Sequence, residues 1–337
     1  MVTLKEIAQV VGVSTATVSR VLNFDQTLSV SAKTRQVIIE TAEAMKYEPP
    51  RARNRANQQG LSKIALVHYL RPDQELVDPY YVALRLGIES RCQALKIETI
   101  KVYHTDSQPD GSLLQGASGI IAIGRHDDKE IAWLKLHNRN LVFADFSPPT
   151  DEFDCVESDL VLAMRKLLQS LRQAGYRRIA FAGWVDVYDG VPSSQPERRC
   201  RAYMQWAEEA GLFDPRICLT GNKTEESGYT LTRQILSESD RPDALVTAND
   251  SMAIGAYRAI HEMGLSIPDD IAVASFNDIS VAQFMNPPLT TVHLPAQEIG
   301  ETAVELLLEQ AGGRELRRRL TLATSVLWRG STRVAVP

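Results

Sequence analysis

The sequence predicts an α/β fold with a small helical unit at its N-terminus, and three observations support this. Over residues 1–50, apolar residues recur at helical spacing around a glycine-bearing turn. From Ile64 onward, short apolar runs alternate with helical segments, which is typical of parallel sheets covered on both faces. The same alternation restarts after Asp154, so two similar lobes with a cleft between them are expected.

The N-terminal unit has the start and stop signals of three short helices. The first should begin after Thr3, whose side chain can form a capping box with Glu6. Gly12 can adopt the left-handed backbone that ends a helix, and Ser14 can cap a second helix that runs to about Leu22. Two short helices joined by such a turn are typical of a helix-turn-helix. A third helix is expected from about residue 31 to residue 45.

The second helix leaves small side chains and one arginine away from its apolar face. Arg20 can bond bidentately to guanine, and the methyl groups of Thr15 and Ala16 can contact a thymine methyl. A small helical bundle without DNA is the alternative. Residues 1–60 carry eight Lys/Arg and five Asp/Glu, hence +3, whereas the whole chain is −5 and the remainder therefore −8, which favours DNA binding. The expected DNA contacts are Thr3, Lys5, Ser14, Thr15, Ala16, Thr17, Ser19, Arg20 and Asn23.

The rest of the chain indicates a globular body. Its 337 residues are 44% hydrophobic, yet no apolar run approaches the ~20 residues that span a bilayer, so we expect a cytoplasmic protein. The four cysteines lack CxxC spacing, which disfavours a zinc site or a redox pair. Neither an HExxH motif nor a phosphate-binding glycine loop occurs. We therefore expect no catalytic residues, no metal and no cofactor, and a sugar-modifying enzyme attached to a DNA anchor is the disfavoured alternative.

The predicted strand ends define a candidate ligand site. In open parallel sheets, ligands bind outside the carboxyl ends of the strands. Polar groups and aromatic rings alternate there, as a polyhydroxylated ring requires, so a sugar or nucleoside is the expected ligand class. The expected effector contacts are Tyr69, Tyr80, Tyr81, Arg125, Phe146, Trp184, Arg199, Asn249, Asn277 and Asp278.

Several of these residues also have a purely structural interpretation. Asn249 and Asp250 could cap a helix that begins at Ser251, and Asn277 with Asp278 could form a turn. One of the two adjacent tyrosines is expected in the core and the other in the cleft. Arg199 opens a helix, where a cation opposes the helix dipole, so a specific partner is expected for it.

The N-terminal motifs resemble a known family. Residues 2–8, 12–14 and 16–23, together with Tyr47 and Pro49, are similar to the headpiece of the lactose/galactose repressor (LacI/GalR) family, and the similarity continues over nearly the whole chain. It implies a helix-turn-helix headpiece on a two-lobed core like that of periplasmic binding proteins. It also implies a ligand-responsive repressor of a pseudo-palindromic operator, released by a sugar that is galactoside-like. A co-repressor-type regulator that senses a purine or another metabolite is the alternative.

The resemblance also implies domain limits and an assembly. We expect the headpiece at 1–47, a hinge at 48–61, a first lobe at 62–157 with a crossing segment at about 290–318, and a second lobe at 158–289 with a closing segment at about 319–337. No heptad repeat follows Leu327, so a homodimer is expected.

Particular residues take roles by this resemblance. Arg51, Arg53 and Arg55 fall in the hinge, which in the family enters the DNA minor groove. Ala56 stands where the lactose repressor has a leucine wedge, so a weaker DNA kink is expected. Arg199 and Asn249 match an effector-binding arginine and asparagine of that repressor. Asn277 replaces an aspartate there, and Asp278 is expected to supply the acceptor.

Overall fold

The computed structural model describes residues 3–22, 28, 30–45, 61–103, 111–188, 191–192 and 196–333. The expected DNA contacts Asn23, Arg51, Arg53, Arg55 and Ala56 lie outside these residues, as does most of the expected hinge. None of the described helices is both long and apolar enough to cross a membrane.

The N-terminal unit consists of α1 (Leu4–Val11), α2 (Thr15–Leu22) and α3 (Ala32–Ala44). Thr3 and Glu6 form the predicted capping box, and Gly12 ends α1 with a φ of 73°. Ser14 Oγ accepts a hydrogen bond from the Thr17 amide at 3.0 Å, as expected of a cap. The three helices close over one small core, which comprises Ile7, Ala8, Val18, Val21, Ile38 and Ala42.

The first lobe is built on a six-stranded parallel sheet. Its elements in chain order are β1 (Lys63–His68), α4 (Pro72–Leu76), α5 (Pro79–Leu95), β2 (Glu98–Tyr103), β3 (Gly119–Ile123), α6 (Asp128–His137), β4 (Leu141–Ala144) and β5 (Asp154–Ser158). The strand order is β13-β5-β4-β3-β1-β2, where β13 (Arg319–Leu322) arrives from the far end of the chain. Strands β1, β3 and β4 are almost wholly buried, which accounts for their continuous apolar runs.

The second lobe repeats this plan. It contains α7 (Leu160–Gln173), β6 (Ile179–Trp184), the short strands β7 (Val187–Tyr188) and β8 (Val191–Pro192), α8 (Arg198–Glu209), β9 (Cys218–Gly221), α9 (Glu225–Leu236), β10 (Ala244–Thr247), α10 (Asp250–Glu262), β11 (Ala272–Asn277) and β12 (Thr290–His293). The sheet order is β14-β12-β11-β10-β6-β9, and only its edge strand β14 (Ser325–Leu327) is antiparallel to its neighbour. The predicted pair of α/β lobes is therefore confirmed.

The chain passes between the lobes three times, and the limits of two passages differ from those expected. Residues 290–293, expected in the crossing segment, form β12 of the second sheet, and the crossing helix α11 (Ala296–Ala311) packs on α5, β3, β4 and β5. Residues 319–322, expected in the second lobe, form β13 of the first sheet. Both sheets thus gain an edge strand from the C-terminal end of the described chain.

A close helix contact stabilises the second lobe. Helices α9 and α10 approach each other at Gly228 and Gly255, and a Cβ at Gly255 would overlap the carbonyl oxygen of Glu225. Only glycine permits this approach. The contact fixes α10, whose N-terminus carries Asn249 and Asp250 at the cleft.

Candidate functional site

The exposed surface of α2 has the chemistry predicted for reading DNA. Thr15, Ala16 and Arg20 are exposed, whereas Val18 and Val21 are buried beneath them. Lys5 is exposed on α1. The helix therefore presents two methyl-bearing side chains and one guanidinium on the side opposite its core.

Several of the other expected DNA-contact residues already form hydrogen bonds within the headpiece. The hydroxyl groups of Ser14 and Thr17 lie 2.8 Å apart and share a hydrogen bond, and Thr3 hydrogen-bonds Glu6. Ser19 is half-buried. Phosphate or base contacts from these groups, and from Lys5, stay predictions.

In the first lobe, two tyrosines converge on one carboxylate in the cleft. The hydroxyl groups of Tyr80 and Tyr81 donate to the two oxygens of Asp145 at 2.8 Å and 2.9 Å. Tyr80 belongs to the buried core and Tyr81 is half-buried beside it, yet both side chains reach the same carboxylate. Tyr80 is nevertheless the more buried of the two, with 6% of its surface exposed.

Asp145 is an unusual carboxylate. It follows β4 in a left-handed backbone conformation, with a φ of 64°. Burial raises its pKa, while the charge of Arg198 and the two tyrosine hydroxyls lower it. Burial and Asp145 together hold the pKa of both tyrosines well above 10, so the phenols stay protonated and act as donors at neutral pH.

Aromatic rings surround this carboxylate site. Tyr81 lies in edge contact with Tyr69, with ring centroids 5.1 Å apart, and with His68 at 5.5 Å. Phe146 does not join this group. It packs on Phe143 within the smaller core cluster of the first lobe, on the other side of the sheet from the tyrosines' own cluster.

In the second lobe, Arg199 has the specific partner that its helix position predicted. Its Nε donates to Glu197 at 3.0 Å, and Glu197 also caps α8 by accepting from the Arg199 amide. The guanidinium carbon lies 4.6 Å from the centre of the Trp184 ring and 5.7 Å from that of Phe276. These cation–π distances place Arg199 against an aromatic wall, with a fork of N–H donors that can serve a ligand.

Asn249, Asn277 and Asp278 have structural roles as well. Asn249 Oδ1 accepts from the Met252 amide at 2.8 Å and caps α10, which begins at Asp250 rather than at Ser251. Asn277 and Asp278 have φ values of 108° and 59°, which describes a tight turn. The Asp278 carboxylate already accepts from Arg329 at 2.7 Å and lies 3.1 Å from His293. Effector contacts from all three stay predictions.

Two ion pairs join the lobes across the cleft, and sequence reasoning missed most of their members. Lys223 lies 3.6 Å from Asp78 and donates to the Tyr69 hydroxyl at 3.0 Å. Arg125 lies 3.1 Å from Asp186, which also accepts from the Trp184 indole. Asp186 ends a predicted strand and could have been selected. Lys223 follows β9, a half-exposed edge strand that no apolar run announces.

Four cations of the cleft each form an ion pair with a carboxylate. Arg198 pairs with Glu157 at 2.7 Å, Arg199 with Glu197, Arg125 with Asp186, and Lys223 with Asp78. Among the residues described, no cluster of histidine, cysteine and acidic side chains could hold a metal ion.

Comparison with known proteins gives consistent matches over the whole chain. Residues 3–50 match the model of bacterial regulatory proteins of the lacI family, and residues 168–332 match that of the periplasmic binding protein-like domain. The transcriptional repressor MelR of Bacillus subtilis is 34% identical over 98% of this chain and 97% of its own. A lactose operon repressor of Rhizobium radiobacter is 55% identical over 32% of this chain and 96% of its own.

The fold also matches solved structures. The crystal structure of the Lac repressor dimer bound to operator and the anti-inducer ONPF superposes with a TM-score of 0.68. It is 26% identical and covers 98% of each chain.

A buried carboxylate beside the cleft predicts a pH dependence of stability. Asp250 is fully buried and accepts from Thr291 Oγ1 at 2.7 Å and from the Ile279 amide at 2.8 Å. Burial raises its pKa to about 6. Because the folded state binds a proton at Asp250 more tightly than the unfolded state does, the contribution of this group to stability is greatest at low pH and is lost as the pH rises through 6.

We therefore expect the free energy of unfolding of the wild type, relative to that of Asp250→Asn, to fall by about 2 kcal/mol between pH 4.5 and 7. Urea unfolding of both proteins across this range measures the difference. Other groups titrate alike in the two proteins, so their effects cancel in the difference. Free energies of unfolding that change in parallel with pH in the two proteins would contradict a raised pKa for Asp250.

Proposed function

Because this chain belongs to the LacI family of bacterial regulatory proteins, we propose that it represses transcription by binding a pseudo-palindromic operator as a dimer and leaves it when a sugar enters the cleft. The headpiece reads the DNA, and the two lobes sense the ligand. The observation that carries this proposal is the combination, in one chain, of the exposed α2 surface with an aromatic cleft that carries paired charges.

Operator reading rests on the small set of side chains exposed on α2. Arg20 is the one long charged group among residues 14–22, so it supplies the bidentate contact to guanine. Thr15 and Ala16 add apolar contacts. Lys5 on α1 contributes charge toward the phosphate backbone, which raises affinity without selecting a sequence.

Arg20→Ala should therefore cost about 1–3 kcal/mol on the operator and much less on unrelated DNA. Lys5→Ala, as the control, should weaken both alike. Dissociation constants of both variants for a selected operator and for a scrambled duplex, measured at one salt concentration, distinguish base reading from phosphate contact. An equal loss on both duplexes for Arg20→Ala would remove that residue from base reading.

The cleft favours a neutral sugar. Trp184, Tyr69 and Tyr81 offer ring faces for the apolar side of a pyranose, while Arg199 and the Asp145 carboxylate offer a donor fork and an acceptor for hydroxyl groups. The paired charges disfavour a charged ligand. A galactoside is the specific proposal, since the lactose operon repressor is a relative and since residues 78–81, 275–279 and 287–292 resemble the repressor of the evolved β-galactosidase operon.

Release from the operator follows from linkage. A sugar that binds more tightly to the lobe arrangement with low operator affinity must lower operator affinity by the same factor. A ligand that contacts both lobes makes different contacts in the two lobe arrangements. Lys223 and Arg125 already form ion pairs between the lobes at the cleft.

Arg199→Ala tests the cleft. We expect operator affinity to stay nearly unchanged and sugar-dependent release to be lost, because removing a buried donor fork costs about 1–3 kcal/mol of ligand binding. Arg199→Lys keeps a charge beside Glu197 and should fold normally but bind sugar weakly. Arg165→Ala removes an exposed arginine paired with Glu209 and serves as the control.

The ligand panel is lactose, melibiose, galactose, cellobiose and hypoxanthine, measured by calorimetry and by operator release. Wild-type sugar affinity in Arg199→Ala would refute the site. Tighter operator binding with hypoxanthine, and no effect of any sugar, would establish the co-repressor alternative instead.

Dimerisation is proposed through apolar groups exposed on both lobes. Phe284 is 78% exposed and lies near Val281, which is 42% exposed, in the second lobe, and Leu76 and Val77 are similarly exposed at the end of α4. Apolar surface of this kind marks an interface. A two-fold dimer places two headpieces on two half-sites, which matches a pseudo-palindromic operator.

Phe284→Asp should therefore shift the protein from dimer to monomer and weaken operator binding at nanomolar protein concentrations. Leu136→Asp changes an apolar side chain of α6 that is 86% exposed and is the matched control. Analytical ultracentrifugation measures the assembly. A dimer that persists in Phe284→Asp would place the interface elsewhere.

A further inference from the structure

The second lobe contains a cavity outside the cleft. Its volume is about 310 Å3, and it lies at the amino end of β6. Trp184, at the carboxyl end of the same strand, belongs to the effector cleft. The cavity is therefore at the opposite end of the sheet, and it is large enough for a small organic molecule.

The wall of the cavity is aromatic and largely fixed in place. Tyr203 donates to the carbonyl oxygen of Ile179 at 2.7 Å, and its ring stacks on Phe181 with centroids 5.2 Å apart. Trp206 is half-buried, and its indole N–H has no acceptor within the described chain. Leu212 and Ile217 complete an apolar surface that suits a flat hydrocarbon body.

Two arginines at the rim of the cavity differ in their partners. Arg178 is committed, because it donates to Asp214 at 2.6 Å and to the Asp240 carbonyl at 2.9 Å and lies 3.4 Å from the Asp240 carboxylate. Arg177 also lines the cavity, and its guanidinium has no ion-pair or hydrogen-bond partner in the described part of the chain. The rim therefore offers one uncommitted cation beside an apolar pocket.

We propose that this cavity is a second ligand site, which takes a small aromatic carboxylate. The ring would lie against Trp206 and Leu212, and the carboxylate would accept from the Arg177 fork. A guanidinium binds a carboxylate bidentately, and the aromatic wall contributes apolar contact area. A neutral aromatic molecule would make the apolar contacts with the wall but not the bidentate hydrogen bonds with the guanidinium.

One helix contributes residues to both the cavity and the effector cleft. α8 carries Arg199 and Glu197 at its cleft end and Trp206 at the cavity, seven residues on, which is about 10 Å along a helix. The two sites are thus distinct but share a rigid element.

Calorimetric titration of the full chain with 1-naphthaleneacetate, and with 1-naphthaleneethanol as its neutral counterpart, tests the proposal. We expect one molecule of the acid per chain, bound about tenfold more tightly than the alcohol, since one charge-assisted contact distinguishes them. Arg177→Gln should remove that difference, whereas Lys166→Gln, the same charge change at an exposed residue of α7, should preserve it.

Two further variants locate the binding. Trp206→Ala should weaken the binding of both compounds, and Arg199→Ala should leave acid binding unchanged because Arg199 does not line the cavity. Thermal unfolding confirms that each variant is folded. Equal affinities for acid and alcohol, equal losses in Arg177→Gln and Lys166→Gln, or loss of binding in Arg199→Ala would each overturn the proposal without bearing on sugar-dependent repression.

Discussion

The constraint on which the structure depends is the threefold passage of the chain between its two sheets. The passages follow β5, β12 and β13, and the last leaves only residues 323 and 324 between strands of different lobes. Asp154, at the start of β5, is fully buried and accepts from Arg314 at 2.9 Å and from the Arg318 amide at 2.6 Å, so it ties together the amino ends of β5 and β13, the strands that lead into the first and third passages. Three short connections let the lobes turn against each other while they keep the cleft side chains opposed.

The headpiece and the central strands could be predicted because their signals are local. Thr3, Glu6 and Gly12 determine where α1 begins and ends through contacts within a few residues. Strands such as β3 are buried on both faces, so each appears as an uninterrupted apolar run. The carboxyl ends of those strands follow directly, and this is why Arg125, Trp184 and Asn249 could be assigned to strand ends from the sequence.

The missed features depend on distant partners. β9 and β13 are edge strands with half-exposed residues, and only pairing with β6 and β5 makes them strands. Lys223 follows β9 and meets Tyr69 across 154 residues, a contact that no spacing rule anticipates. The convergence of Tyr80 and Tyr81 on Asp145 joins residues about 65 positions apart, so the sequence did not indicate it either.

The paired charges of the cleft explain how a neutral ligand can move a protein held by ionic contacts. Lys223–Asp78 and Arg125–Asp186 each have one member on either lobe, so the strength of both pairs depends on the spacing of the lobes. Arg199–Glu197 and Arg198–Glu157 present hydroxyl-binding groups without adding net charge. A sugar that contacts both lobes needs no charge of its own, because a small change in their spacing alters existing pairs. In the proposed mechanism, operator affinity depends on the same spacing of the lobes, so ligand binding and operator binding are linked through it.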